Sequence, residues 1–274
     1  MSRVLGHVLA GLLLTGAAAG CRRAPEPAVR NVVVVGSRSM VRLVRDLADR
    51  FQEQHDDVRI NLEPALADRT VADTRQGLAD VGLLGRALRP DETGLHSFAL
   101  ARDGVAFVVH RDNPVQALPE AQLVGLLSRV YTDWKEVGGN DRPVVIVGPG
   151  EGRGLRDFLL EQFSLRPVQL RPDPALSGSE QVLQAVASQP GALGYTSVGP
   201  AEAFAARHPV RLLSVQDVPA TLENVRNGRY PLVRPLVMLS REPAVEAARE
   251  FLEFARSAEN RDLVKKHGFV PVAP

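Results

Sequence analysis

The sequence predicts an α/β fold built on a largely parallel sheet, and three observations carry that reading. Short β-branched runs, among them residues 31–35, 58–62 and 81–84, alternate with segments whose apolar residues recur at helical spacing. Two of these strands run through a short polar or glycine-rich turn straight into a helix, once at residues 36–39 and again at residues 148–154. The chain of 274 residues has ample apolar content, 45%, for one large or two modest cores.

Each element follows in order. Residues 31–35 end at Gly36 as a buried strand, and Met40, Leu43, Val44, Leu47, Ala48 and Phe51 form a clean helical stripe after it, with Ser37 or Ser39 as its N-cap. Residues 58–62 form the next strand, residues 63–69 lead into a short helix ending near Gly77, and Asp80 introduces the strand 81–84. Residues 98–100 and 105–109 read as two further strands before a break at Arg111-Asp112-Asn113-Pro114. Residues 119–130 are helical through Leu123, Leu126, Leu127 and Val130, and Trp134 reads as a packing anchor. The apolar run 144–147 enters Gly148-Pro149-Gly150-Glu151-Gly152-Arg153-Gly154, then a helix with Leu155, Phe158, Leu159 and Phe163 on one face. A helix around Val182, Leu183 and Val186, strands 191–195 and 235–239, and helices 244–257 and 260–267 complete the chain.

The two turns suggest chemistry. A helix N-terminus leaves backbone N–H groups unpaired and carries a partial positive charge, so a small anion settles there readily. Ser37, Arg38 and Ser39 offer hydroxyls and a guanidinium at the first turn; Gly152, Arg153 and Gly154 offer a glycine backbone and a second guanidinium at the other. The plainer reading, that serines cap and glycines permit a tight connection, stays open for either turn alone.

Composition excludes other classes. A net charge of +1 gives no field for nucleic acid, and 5% aromatic residues give no stacking platform for single strands. One cysteine allows neither a disulfide framework nor a cysteine-held metal. His55, His96, His110, His208 and His267 are scattered without metal-ligand spacing, and neither a nucleophile elbow nor a Gly-Lys-Ser/Thr phosphate loop is present. No metal, cofactor or enzymatic activity is expected.

The N-terminus has the layout of a secretory leader: Arg3, an apolar run 4–14, small residues 15–20, then Cys21. Ala-Gly-Cys resembles the lipobox of bacterial lipoproteins, with Ala18 where leucine is usual, which implies cleavage before Cys21 and lipid on its new N-terminus. Ordinary signal cleavage, with Cys21 incidental, is the alternative. Either way the protein is expected to work outside the cytoplasm, and residues 22–30, rich in Pro and Ala, to act as a tether.

An ordered set of motifs adds a resemblance. Gly36-Ser37, Val81-Gly82 after Asp80, Asp103-Gly104-Val105-Ala106, Arg111-Asp112-Asn113-Pro114-Val115, Trp134-Lys135-Glu136-Val137-Gly138-Gly139, Glu151-Gly152-x-Gly154-x-Arg156-Asp157, Pro190-Gly191-Ala192-Leu193-Gly194-Tyr195 and Tyr230-Pro231-Leu232-x-Arg234-Pro235-Leu236 resemble the phosphate-binding proteins of ATP-binding-cassette importers. The resemblance covers about residues 32–272. It implies the type II periplasmic-binding-protein fold, two α/β lobes with ligand held in the cleft between them. By that analogy residues 31–111 and 229–274 form one lobe and 112–228 the other, and the two helix turns face each other. The implied ligands are Ser37 with its neighbours Arg38 and Ser39, Asp80 as the carboxylate accepting a hydrogen bond from protonated phosphate but rejecting sulfate, and the turn at Gly152, Arg153 and Gly154. The second family turn has drifted to Ala65-Leu66-Ala67-Asp68-Arg69-Thr70, leaving a hydroxyl only at Thr70, and the third lacks the usual hydroxyls. Arg38, Arg69 and Arg153 add charged donors in exchange. The implied partners are phosphate or a related oxyanion, an importer permease and the membrane through lipid, with the chain expected to be a monomer. A sensor or interaction protein on the same scaffold with altered ligand specificity is the alternative.

Overall fold

The computed structural model describes residues 29–151 and 154–272. The leader with Cys21, most of the tether, and Gly152 and Arg153 lie outside the described residues.

The elements run in chain order as β1 (Arg30–Gly36), α1 (Arg38–Gln54), β2 (Val58–Pro64), α2 (Ala67–Gln76), β3 (Val81–Leu84) and β4 (His96–His110). They continue as β5 (Ala117–Leu118), α3 (Glu120–Leu127), β6 (Val145–Pro149), α4 (Gly154–Gln162), β7 (Ala175–Leu176), α5 (Ser179–Ser188), β8 (Ala192–Ser197), α6 (Val198–Ala205), β9 (Val210–Leu212) and β10 (Ser214–Val215). The last are α7 (Leu222–Arg226), β11 (Val233–Ser240), α8 (Glu246–Arg256), α9 (Arg261–Lys266) and β12 (Val270–Pro271).

One sheet runs in the order β2-β1-β3-β11-β4-β8-β6-β7. Its two ends are parallel, β1 with β2 and β3 on one side and β6 with β7 and β8 on the other. The middle is antiparallel, because β4 and β11 cross in opposite directions between the two ends. The sheet is therefore mixed rather than largely parallel. A chain that leaves one lobe and returns must send its second crossing strand back against the first.

Two hydrophobic cores flank the crossing. Val32, Val34, Met40, Leu43, Leu47 and Phe51 pack with Leu236, Met238 and Phe251 in one. Phe51 lies edge-on to Phe251, with ring centroids 5.5 Å apart, a favourable aromatic geometry. Phe107, Leu123, Trp134, Leu159, Leu183 and Tyr195 define the other. A smaller cluster, Val71, Leu84, Val237 and Leu239, lies under α2. Trp134 is an anchor: it is buried, and its indole N–H donates to the Gly191 carbonyl at 2.9 Å.

Core membership switches between Ala101 and Val105 along β4, and between Leu232 and Leu236 at the start of β11. The lobe boundaries expected at 111 and 229 are not these points: the first switch falls before 111, within β4, and the second after 229. The expected strands 98–100 and 105–109 are one strand of 15 residues, His96–His110. Asp103 and Gly104, which look like a break, are accommodated inside it. Asp103 has buried partners, and at Gly104 a side chain would collide with Val198 and Val225. The helix expected over 119–130 stops at Leu127, where Arg129 turns to a φ of 61°.

β1 ends in a conformation that positions everything after it. Gly36 has a φ of 144°, and a Cβ there would run into the Leu83 carbonyl. Only glycine accepts both conditions, and they let Ser37 N–H donate to Leu83 O at 2.9 Å. Gly36→Ala is expected to lower stability by about 2–4 kcal/mol through backbone strain and overpacking, read as a lower urea midpoint at unchanged slope.

Candidate functional site

The C-terminal ends of β1 and β3 and the start of α1 make one wall of a cleft between the cores; Pro149 at the end of β6, with Gly154 and Leu155 at the start of α4, belongs to the facing wall. Ser37 occupies the N-cap position of α1 without capping a backbone N–H. Its hydroxyl lies 2.9 Å from the Ser39 hydroxyl instead. The first-turn amides of α1 therefore lack a side-chain partner, the condition in which a helix start attracts an anion.

Arg234 organises the space beneath. It is fully buried and lies directly opposite Asp103 in the β4–β11 register. Its Nε and Nη2 donate to Asp103 Oδ2 at 2.9 and 2.8 Å, its Nη1 to Gly85 O at 3.1 Å, and its Nη2 also to Ser39 Oγ at 3.3 Å. Ser197, at the N-terminus of α6, donates its hydroxyl to the same Asp103 oxygen at 2.8 Å. Burial pushes the Asp103 carboxyl above the usual carboxylate range, against the pull of Arg234 and Ser197. Its other oxygen, Oδ1, is buried without a partner.

Gly154 meets this cluster from the second lobe. A Cβ on it would lie 3.3 Å from Gly85 Cα and 3.4 Å from Arg234 Nη1. The close approach of α4 to the Gly85 turn thus depends on two positions without side chains. Ser37, Arg38, Ser39 and, of the second turn, Gly154 all line one hollow; Gly152 and Arg153 lie outside the described residues.

Arg86 follows Gly85 in the same wall. Its side chain is only 2% exposed and is forked onto Glu92, with Nη2 to Oε1 at 2.6 Å and Nη1 to Oε2 at 2.8 Å. Burial opposes ionisation of Glu92, but Arg86 and the Arg89 N–H outweigh it and hold the carboxyl below its usual range. The Arg86 Nε–H has no partner. From α4, half-buried Asp157 faces Arg86 and Arg89; burial raises its pKa while Arg156, Arg86 and Arg89 lower it. Arg89 also reaches across to Glu161 at 2.8 Å, joining the lobes at the rim.

Asp80, Thr70 and Arg69 stand elsewhere. Asp80 precedes β3 at its N-terminal end, where its carboxylate accepts the Val33 N–H at 2.8 Å. The four residues of β3, five steps of about 3.3 Å and so about 16 Å, separate it from the Gly85 turn. Thr70 is buried in α2 with its hydroxyl donated to Leu66 O at 2.9 Å. Arg69 is paired with Asp73 and Glu63 on the surface. The sequence reading missed Arg86, Gly85, Ser197 and the pairing of Asp103 with Arg234. The available signal was a charge in the middle of each of two apolar strands, Asp103 and Arg234, which must be paired to be tolerated when buried.

Among the described residues no group of His, Cys, Asp and Glu is placed to hold a metal, and no helix is long and apolar enough to cross a membrane.

Comparison with known proteins agrees with this geometry. A family model described as the PBP superfamily domain matches residues 22–259. The phosphate-binding protein PstS of Bacillus subtilis is 24% identical over 253 residues, covering 90% of this chain and 82% of that one. PstS of Pseudomonas aeruginosa PAO1 is 24% identical over 273 residues, covering 88% and 83%. Among solved structures, an ABC-type phosphate transport receptor from Vibrio cholerae superposes with a TM-score of 0.78 at 27% identity, over 88% of this chain and all of that one. A structure from Clostridium perfringens, described as a phosphate ABC transporter substrate-binding protein with bound phosphate, gives 0.77 at 28% identity, over 89% of this chain and all of that one. These relatives are binding proteins rather than enzymes. With two lobes, a cleft between them and a family match across most of its length, this chain belongs to the PBP superfamily.

Proposed function

We propose that the chain is an extracytoplasmic solute-binding lipoprotein that captures a small oxyanion, phosphate foremost, and delivers it to the permease of an ABC importer. One observation carries the reading: two helix starts from different lobes and Ser37 and Ser39 line one hollow. The N–H groups and hydroxyls supply neutral donors, while the helix termini supply partial positive charge. Arg234 holds Ser39 and Gly85 in place beneath the ligand. The names of the relatives support phosphate and an importer partner.

Capture is a closure of two lobes that divide near Asp103 on β4 and Arg234 on β11, so that the crossing strands bend while each core stays rigid. Lipid attached at Cys21 would keep the protein beside its permease, with residues 22–30 as the tether.

Isothermal titration with phosphate tests the reading: saturable micromolar binding supports it, and none at millimolar phosphate ends it. The double variant Ser37→Ala/Ser39→Ala is expected to weaken phosphate by about 1–3 kcal/mol, roughly 5- to 150-fold, from two lost hydrogen bonds. Asp80→Asn is expected to leave both phosphate affinity and the preference over sulfate unchanged, while a denaturation curve shows about 1 kcal/mol lost from the weakened strand contact. In cells, Cys21→Ser is expected to move the protein from the membrane to the soluble fraction, as read by fractionation and immunoblot.

A further inference from the structure

The cleft does not end at the cradle. Cradle and continuation together form an open groove of about 1090 Å³, whereas a five-atom oxyanion occupies on the order of 100 Å³ on the scale where a water takes about 30 Å³. Along one wall runs α1, with Arg38, Arg42 and Arg45 all lining the groove at spacings that place them on one helical face. Arg207 at the end of α6 and Lys265 in α9 line it as well, and Glu180 is the one acid in the lining. None of these five cations makes an ion pair among the described residues, whereas Lys266 and His267 beside them are both engaged by Asp46.

The arginine row runs against the needs of its own helix. Like charges three and four residues apart repel, and a helix N-terminus favours acids over bases. α2, α3, α4, α5, α7, α8 and α9 each carry an acid in the first turn; α1 and α6 carry none, and α1 begins with Arg38. A row of arginines that opens a helix, makes no ion pair among the described residues and lines a ligand groove is suited to negative charge from outside the chain.

We propose that the groove takes a linear oligophosphate: one terminal phosphoryl group sits in the cradle and the rest of the chain lies along Arg38, Arg42 and Arg45. This rests on the oxyanion-binding reading above and names its substrate class. The row is made of guanidinium forks suited to phosphoryl oxygens at successive positions along an extended anion.

Isothermal titration of the purified chain with orthophosphate, pyrophosphate and tripolyphosphate, at 50 and 300 mM salt, tests it. Tripolyphosphate is expected to bind at least tenfold more tightly than orthophosphate at both salt concentrations, with pyrophosphate between. Arg42→Ala/Arg45→Ala is expected to erase that preference while orthophosphate affinity stays within twofold, since neither side chain belongs to the cradle. A control, Arg59→Ala/Arg75→Ala, removes equal charge from exposed positions outside the groove and should preserve the preference. Orthophosphate binding without an oligophosphate preference, or a preference equally lost in both double variants, overturns this inference and leaves the oxyanion reading standing. Absence of binding by all three anions overturns both.

Discussion

The buried pair between Asp103 and Arg234 is the constraint on which the rest of the site depends. Each residue sits on a strand that crosses between the cores, at the point where that strand changes from one core to the other. Through it, the end of β8 (Ser197), the turn after β3 (Gly85) and the start of α1 (Ser39) are tied to one guanidinium–carboxylate unit. Two charges removed from water contribute little net stability as a pair, but breaking one by removing its partner costs about 3–5 kcal/mol. The pair acts chiefly on placement. It joins the two crossing strands where they lie opposite each other and ties Ser39, Gly85 and Ser197 to one unit.

Much of the architecture was legible from spacing alone. The stripe from Met40 to Phe51 and the β-branched runs before and after it identify themselves because period and burial coincide. So does the strand-to-helix passage into α4. The site was only half legible. Ser37, Ser39 and Gly154 are local features of turns, and turns announce themselves in sequence. Asp80 carried the expected chemistry in the wrong place: in a parallel strand, ligands gather beyond the C-terminal end, and Asp80 stands before the N-terminal end. Arg86 stands beyond the C-terminal end of the same strand, but its burial and its fork onto Glu92 are features that sequence does not display. The pairing of Asp103 with Arg234 joins residues 131 positions apart. That register emerges only when the crossing strands are laid side by side.

How closely the lobes approach is governed by backbone more than by charge. Arg89 and Glu161 bridge the rim, but both are substantially exposed, and such pairs contribute about 0–1 kcal/mol. At the floor, Gly154 and Gly85 bring the second helix start against the first wall with no side chain between them. A weak rim contact beside a close floor contact adds little electrostatic resistance to the closure proposed above. The ligand's own contacts are left to set the balance.

Trp134 has a consequence for observing all this. It is the chain's one tryptophan, sealed inside the second core with its indole N–H on Gly191 and absent from the cleft lining. Native emission is therefore a gauge of whether that lobe is folded, blind by position to what fills the space between the halves. An optical signal for capture has to come from a dye installed at the rim.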